Sequence, residues 1–519
     1  MSLLRSGTDL EMRLIWMAML VLVTASTQHV HKPARILAVV PMPWKSHHFV
    51  FQTIIKALAA RGHQIDYLTP FPIENAPPNV RHLMIKDTFA ETIGSVELED
   101  MDLFWSPQEH LMWRSMNVKY LEEVYRNEPA IRTLLSSNEQ YAIVMSECNI
   151  NQEITAVWAH RFNATPVSVL AVPDMFFANE MTGLPGNPSY MLDSTSHLSD
   201  RMDFLERLWN SVQYVVSLPL HYYKLREFQR VADDVLRYPG WETRPSVSRL
   251  ASDQALVLVN SHVSVGSVYP RSPHVKEIGG MTLTGSTLLP KDLQSFMDSA
   301  AEGVVYFSLG SSVDMNVMTR GNKMDGFLRA FQALKHRVVL KWMGDNMPNI
   351  SDPRILIRTW FPQLGILAHK NTRVFVTHGG LQSLMETVNY GVPVVAIPIF
   401  GDQFKNVKIA VSRGLGIELA KQNLTETSLR WAIEEVAKNT KYKEAVRKRS
   451  NILKDVPMKH VDEAVYWIEY VLRHGRVLQP ASLHMPFYQI YLLDVAAFII
   501  AVLGVFYFLI KAAKANYCR

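Results

Sequence analysis

Short runs of aliphatic and β-branched residues recur along this chain with little polar alternation. They are Ala34–Pro41, Gln64–Thr69, Tyr141–Ser146, Pro166–Leu170, Ala255–Val259, Gly303–Ser308, Arg337–Lys341, Arg373–Thr377 and Val394–Pro398. A strand with one wet face alternates apolar and polar residues. A near-continuous apolar run instead marks a strand covered on both faces, as in a parallel sheet flanked by helices. The first run leads through a loop, Met42–Ser46, to a helical stretch, Phe49–Ala60, which Gly62 stops before the second run. That is a βαβ unit. Tyr141–Ser146 is followed by a helix expected to reach about Phe162, and a second βα series starts near Ala255. Between the series, Val268 through Gly279-Gly280 to Pro290 is rich in turn residues and reads as a linker. The pattern predicts an α/β chain of two Rossmann-like halves that hold ligands in a cleft outside the carboxyl ends of their strands. Residues 74–140 and 175–250 are polar, aromatic and Met-rich, with mainly helical patterns suited to shaping a variable apolar pocket.

The two ends do not belong to either half. Of the 519 residues 48% are hydrophobic and only 19% charged, below the roughly 25% charged residues of ordinary soluble domains. Part of the excess lies in Leu14–Val23, which follows Arg5 and Arg13 and precedes small residues up to Thr27. A positive start, a short apolar core and small exit residues read as a secretory signal peptide. More lies in Tyr488–Ile510, which holds one charge, Asp494, and is followed by a tail containing Lys511, Lys514 and Arg519. Such a stretch is long enough to span a bilayer, and the basic tail is expected on the cytosolic side, leaving the body lumenal. The two cysteines, Cys148 and Cys518, would then lie on opposite sides of the membrane and cannot pair. Asn163, Asn349 and Asn423 each open a glycosylation sequon. A net charge of +5 spread over this length argues against a nucleic-acid partner. The expected divisions are a signal at 1–27, a first half at 28–270, a linker at 271–290, a second half at 291–487, a membrane helix at 488–510 and a tail at 511–519.

Chemistry concentrates in one string: Trp360-Phe-Pro-Gln363, Arg373 to Gly380, Leu381-Gln-Ser-Leu-Met-Glu386, and Gly401-Asp-Gln403. A strand ends at Thr377, two glycines turn the chain, and a helix starts near Leu381. Glycines let a diphosphate approach the backbone, and the free N–H groups of a helix start stabilise its charge. His378 is placed to donate a further hydrogen bond. Ser383 and Glu386 share a helical face, so the hydroxyl can reach a phosphate while the carboxylate accepts from ribose. Asp402 and Gln403 follow the next strand, where sugar hydroxyls would be read.

The whole string resembles the signature of the UDP-glycosyltransferases. The resemblance extends to the signal, to Val304–Ser311 and to the C-terminal anchor, and is closest to the membrane-bound invertebrate, insect-like glucosyltransferases. It implies a GT-B fold, with the acceptor on the first half and the nucleotide sugar on the second. It further implies that Trp360 stacks on uracil and Gln363 holds the nucleoside. Ser311, His378 and the backbone at Gly380 would contact the diphosphate, Glu386 the ribose, and Asp402 with Gln403 the sugar. Where the family commonly has an acidic residue this chain has Gly365, expected to loosen local packing without removing a nucleotide contact.

The resemblance also places the general base at His47, in Lys45-Ser-His-His48, rather than at His48. A position just before a helix disfavours imidazolium, which keeps the ring able to accept a proton. Its carboxylate partner aligns with Glu147, where many relatives have Asp. The expected reaction is an inverting, metal-free hexosyl transfer. Glucose from UDP-glucose would pass to hydroxyls of small lipophilic acceptors, as in detoxification or hormone and pigment conjugation. UDP-sugar serves as co-substrate, no cofactor is implied, membrane lipid is a neighbour, and a homo-oligomer is left open. The expected residence is the endoplasmic reticulum membrane. Asp100-Met-Asp102 matches a metal-binding pattern of other glycosyltransferases, but its acidic surroundings read as a solvated face. The competing class is a degenerate, non-catalytic binder of lipophiles, which would be expected to lose His47.

Overall fold

The computed structural model describes residues 32–93 and 106–517, apart from positions 149, 173, 174, 286, 312, 320–322 and 346. The signal-peptide reading, the Asp100–Asp102 pattern, Cys518 and Arg519 fall outside the described residues.

Two wholly parallel sheets form. The first contains β1 (Arg35–Val39), β2 (Gln64–Thr69), β3 (Val80–Met84), β4 (Ile143–Ser146), β5 (Thr165–Leu170), β6 (Leu256–Val259) and β7 (Val275–Glu277), in the order 3-2-1-4-5-6-7. The second contains β8 (Val304–Ser308), β9 (Arg337–Lys341), β10 (Ile355–Arg358), β11 (Thr372–Thr377), β12 (Val394–Ala396) and β13 (Gly416–Glu418), in the order 10-9-8-11-12-13. Renumbered within its own half, the second order is again 3-2-1-4-5-6, so each half is doubly wound. The chain reverses its direction of travel between β1 and β4 in one half and between β8 and β11 in the other. Loops diverge at those two points and leave a crevice at the carboxyl ends.

Apolar runs became the central strands, as their composition requires. Ile36, Ala38, Ile143, Val167 and Leu258 join a core under the helix Lys45–Ala60, and Val305, Phe307, Val338, Val374 and Val395 build its counterpart. The expectations fail at the margins. Strand β3 lies within 74–140, read as helical, and β7 lies within the segment read as linker. The linker reading misses β7 because its turn residues surround a strand of only Val275–Glu277. Residues 147, 148 and 150–152 are irregular rather than helical, with short helical turns at Glu153–Ala156 and Val157–Arg161. The helix His460–His474, expected with the second half, packs on the first: Ala464, Val465, Ile468 and Val471 enter the core around β1 and β5. Arg61 clamps it by two bonds to Glu469, at 2.7 and 2.8 Å. Beyond it the helix Leu493–Tyr517, of mean hydropathy 2.6, is wholly exposed.

Candidate active site

A cavity of about 970 Å³ lies between the carboxyl ends of the two sheets, lined by both halves. Every residue singled out from sequence as catalytic or donor-binding borders it except Glu147, which sits behind His47.

On the first wall, His47 is not in the loop after β1. The helix already begins at Lys45, after Trp44 caps it in an extended conformation without a side-chain bond, and His47 lies in its first turn. His47 Nδ1 lies 2.6 Å from Glu147 Oε2. Glu147 is completely buried at the end of β4, next to β1. Its carboxylate also accepts from Gln152 Nε2 at 2.9 Å and from the Ala171 N–H at 2.8 Å. Gln152, which lies outside any helix, reaches back to a carboxylate five residues before it. With Nδ1–H donated to Glu147, the lone pair at Nε2 is the basic one. His48 plays a different part. It is buried between the Met42 carbonyl at 2.8 Å and the Tyr67 hydroxyl at 2.6 Å, and burial pushes its pKa down to about 4.

The second wall is built from backbone. After β8 comes Gly310, with φ +85°, then Ser311; after the adjacent β11 come His378 and Gly379, with φ +82°. A Cβ on Gly379 would sit 2.2 Å from Val407, and one on Gly380 would sit 2.6 Å from the His378 ring. The helix Leu381–Tyr390 then opens at Gly380 with no side-chain cap, leaving its first N–H groups for a ligand. Burial, reinforced by Lys341, lowers the His378 pKa to about 4, so the ring is neutral and can donate.

Gln363, Ser383 and Glu386 form one cluster: Gln363 Nε2 donates to Glu386 Oε2 at 2.7 Å and to Ser383 Oγ at 3.2 Å. Tyr306 holds the Gln363 carbonyl at 3.1 Å, and Gln382 donates to Glu386 at 3.1 Å. Burial raises the pKa of Glu386. Trp360 is 63% exposed, its ring offered to the cleft. Asp402 accepts from Asn406 at 2.6 Å; burial raises its pKa, and His47 across the cleft pulls the other way. Gln403 spends its side-chain oxygen on the Ile399 and Phe400 N–H groups, at 2.8 and 3.2 Å, which leaves its NH₂ for a sugar.

Two residues escaped the sequence reading. Lys341, at the end of β9, lies with its ammonium 4.5 Å over the Trp360 ring. Its pKa is lowered to about 8 by burial and then by Lys45, which faces it from the other half. Two cations opposed across an open cleft suit an anion between them. The signal was a lone lysine ending an apolar strand, easily read as an ordinary terminus. Gln152 gave no signal, since its role depends on its lying outside any helix. Gly365 departs from expectation as well. It is tightly packed, and a Cβ there would lie 2.6 Å from Leu289 and 2.8 Å from the Thr287 carbonyl. The residues before β8 lie directly against this helix and fill the space an acidic side chain would need.

Residues 35–519 match the family described as "UDP-glucoronosyl and UDP-glucosyl transferase". The chain is 33% identical over 479 residues to UDP-glycosyltransferase UGT5 of Dactylopius coccus, covering 90% of this chain and 89% of that one. UDP-glucosyltransferase 2 of the same insect is 30% identical over 484 residues, 92% of each. Among solved structures, the calicheamicin glycosyltransferase CalG4 superposes with a TM-score of 0.58 at 19% identity, over 86% of this chain and 99% of that one. That likeness concerns the fold, two facing doubly wound halves in the GT-B arrangement.

Proposed function

Since this chain belongs to the UDP-glycosyltransferase family and is therefore an enzyme that moves a hexosyl group from a UDP-sugar to an acceptor, we propose that it is an inverting glucosyltransferase whose general base is His47. The observation that carries the reading is the His47–Glu147 pair at 2.6 Å, set on the cavity that the His378–Gly380 turn borders from the other side.

Nε2 of His47 takes the proton of an acceptor hydroxyl as its oxygen attacks the anomeric carbon. The bond from that carbon to the diphosphate breaks on the opposite face, and its electron pair leaves with UDP. Glu147 holds the ring in the tautomer that accepts at Nε2 and balances the imidazolium once formed. Neutral His378, the N–H groups opening Leu381–Tyr390, and Lys341 meet the growing negative charge on the diphosphate. The chain thus supplies the charge stabilisation from its own groups, and the reading requires no metal. Trp360 stacks on uracil, and Gln363 with Glu386 holds the nucleoside and ribose. Ser311 and Ser383 take the phosphate side, and Asp402 with Gln403 takes the sugar. Glucose is favoured by the likeness to UDP-glucosyltransferase 2, and lipophilic acceptors by the aromatic lining of Trp44, Phe89, Trp113 and Phe177.

We place the enzyme in the endoplasmic reticulum membrane as a single-pass type I protein with a lumenal body. Two observations support a membrane. The helix Leu493–Tyr517 is long and apolar enough to cross one. The helix Phe204–Val235 also exposes Phe204, Leu205, Leu208, Val212, Val215 and Tyr222 along one side. That half adjoins the base of the anchor, where Tyr214 lies 3.3 Å from Tyr491. Its far half is instead polar, with Arg230 and Asp234 paired to the helix Pro107–Asn127. Asn163, Asn349 and Asn423 are exposed, as lumenal glycosylation would require.

Turnover of UDP-glucose against other UDP-sugars, with a panel of phenols and steroids, tests the proposal in wild type and in His47→Ala. Wild type prefers UDP-glucose and His47→Ala loses transfer. A preference for another sugar overturns the donor, no transfer with any UDP-sugar overturns the enzyme reading, and full activity in His47→Ala overturns the base.

A further inference from the structure

The acceptor side of the cavity contains a buried cation that the reaction above does not use. Arg114, on the helix Pro107–Asn127, is 2% exposed and lines the cavity, yet its Nη1 has no hydrogen-bond partner among the described residues. Its guanidinium lies 4.8 Å over the Phe177 ring. Burial draws its pKa down to about 10, which leaves it charged at neutral pH.

Of the described carboxylates near it, Asp193 is held by other groups, while Glu153 has one oxygen on Lys224 and its Oε2 without a described partner, and both act on the guanidinium through space. Asp193 accepts from the Thr195 N–H and hydroxyl through Oδ1, at 3.1 and 2.9 Å, and from the Phe176 N–H through Oδ2, at 3.2 Å. Glu153 takes the Lys224 ammonium on Oε1 at 2.7 Å, and Glu147 belongs to His47. Two further buried groups on the cavity wall, Ser194 Oγ and Asn260 Oδ1, are likewise without partners. A buried donor left unpaired is costly, the more so when it is charged.

Aromatic rings join this corner to the base. Trp44 lies 4.8 Å from the His47 ring and stacks on Trp113, the residue before Arg114, at 6.3 Å. An acceptor held among these rings with its hydroxyl at His47 presents another edge toward the guanidinium. A planar fork of N–H donors matches a carboxylate better than any neutral group.

Resting on the transferase reading for the bound hydroxyl, we propose that Arg114 is a specificity residue that selects aryl acceptors carrying a carboxylate. The subsite binds such acceptors whether or not the sugar is transferred, so binding separates this inference from the reading it rests on.

The test uses full-length protein in detergent with three acceptors of one shape: 6-hydroxy-2-naphthoate, its methyl ester and 2-naphthol. Their intrinsic fluorescence reports Kd, and UDP-glucose turnover reports kcat/KM. Wild type should bind the carboxylate about 10- to 100-fold more tightly than 2-naphthol, as expected for a charge-assisted hydrogen bond in a buried site, with the ester close to 2-naphthol. Arg114→Gln should bring that ratio near one, and Arg114→Lys should retain part of it. UDP binding and the melting temperature report whether each variant is folded. Equal Kd values for all three acceptors in wild type overturn the inference, and so does an unchanged ratio in Arg114→Gln. A parallel loss for all three acceptors with a lowered melting temperature assigns Arg114 to structural pairing with Glu153 and overturns it too. If Arg114→Gln does not fold, the wild-type ratio and Arg114→Lys decide. Carboxylate-selective binding without transfer to any acceptor would instead fail the transferase reading and leave the subsite standing.

Discussion

The two walls of the cleft are built on the same plan and solve opposite problems. Each stands where a doubly wound sheet reverses direction, with functional groups after neighbouring strands: β1 and β4 for His47 and Glu147, β8 and β11 for Ser311 and His378. The first wall works through side chains, a buried carboxylate steering an imidazole. The second works through backbone, with glycines at positive φ and an uncapped helix start. The difference follows from the chemistry each is given. A proton must be moved at one atom, which calls for a titratable group held in one tautomer. A diphosphate spreads its charge over many oxygens and is met best by fixed N–H dipoles.

The sharpest way to break this comparison is to damage each wall and look for effects on the other. His47→Ala should lower kcat by about 10³-fold or more, with Glu147→Gln next at about 10²-fold. Both should leave the Kd for UDP within about 2-fold; a parallel loss of UDP affinity would show that the walls are not separate. Gly379→Ala should do the reverse. Its Cβ meets Val407 at 2.2 Å in a left-handed backbone, a strain of about 1–3 kcal/mol. The expected result is UDP affinity weakened by about 10- to 100-fold, read by titration calorimetry, with lipophile binding on the first wall retained.

A smaller effect concerns pH. The Lys341 pKa is lowered to about 8, so its ammonium is present below that value and lost above it. UDP affinity should therefore fall as pH rises through about 8, by several-fold for the loss of one charge, and Lys341→Met should abolish the dependence. On the acid side His378, with its pKa at about 4, stays neutral, so it adds no pH dependence to the affinity for UDP-glucose, whose diphosphate has no terminal group that titrates, from about pH 7 to 5.5. The smallest change tests the packing behind the second wall. Gly365→Asp, which restores the commoner residue, should cost about 1–3 kcal/mol of stability, seen as a lowered melting temperature with little change in KM for UDP-sugar. An unaltered melting temperature would mean that Leu289 yields easily.

What was legible follows burial. The central strands were readable because both faces are covered, which demands continuous apolar runs. The four strands that the apolar runs did not reveal, β3, β7, β10 and β13, are the four edges of the two sheets. They are short and partly exposed, with at most one buried position each, so no periodicity announces them. In the site, the donor string was legible because its residues lie close in sequence, where glycine spacing and helix starts are local physics. His47 and Glu147 were paired only through resemblance, being 100 residues apart.

The sequence by itself determined the α/β class, the two halves, the apolar end segments and the strand–glycine–helix turn, because each is set by local composition and periodicity. Tertiary structure alone decided that His47 lies inside its helix, that Gln152 and the Ala171 N–H complete the Glu147 carboxylate, and that Lys341 faces Lys45. It also decided that the helix His460–His474 returns to the first half, and that Arg114 Nη1 is buried beside the cavity without a partner among the described residues. Each of these depends on which distant groups share a buried space, and the free energy of a buried charge is set by neighbours that no local window contains.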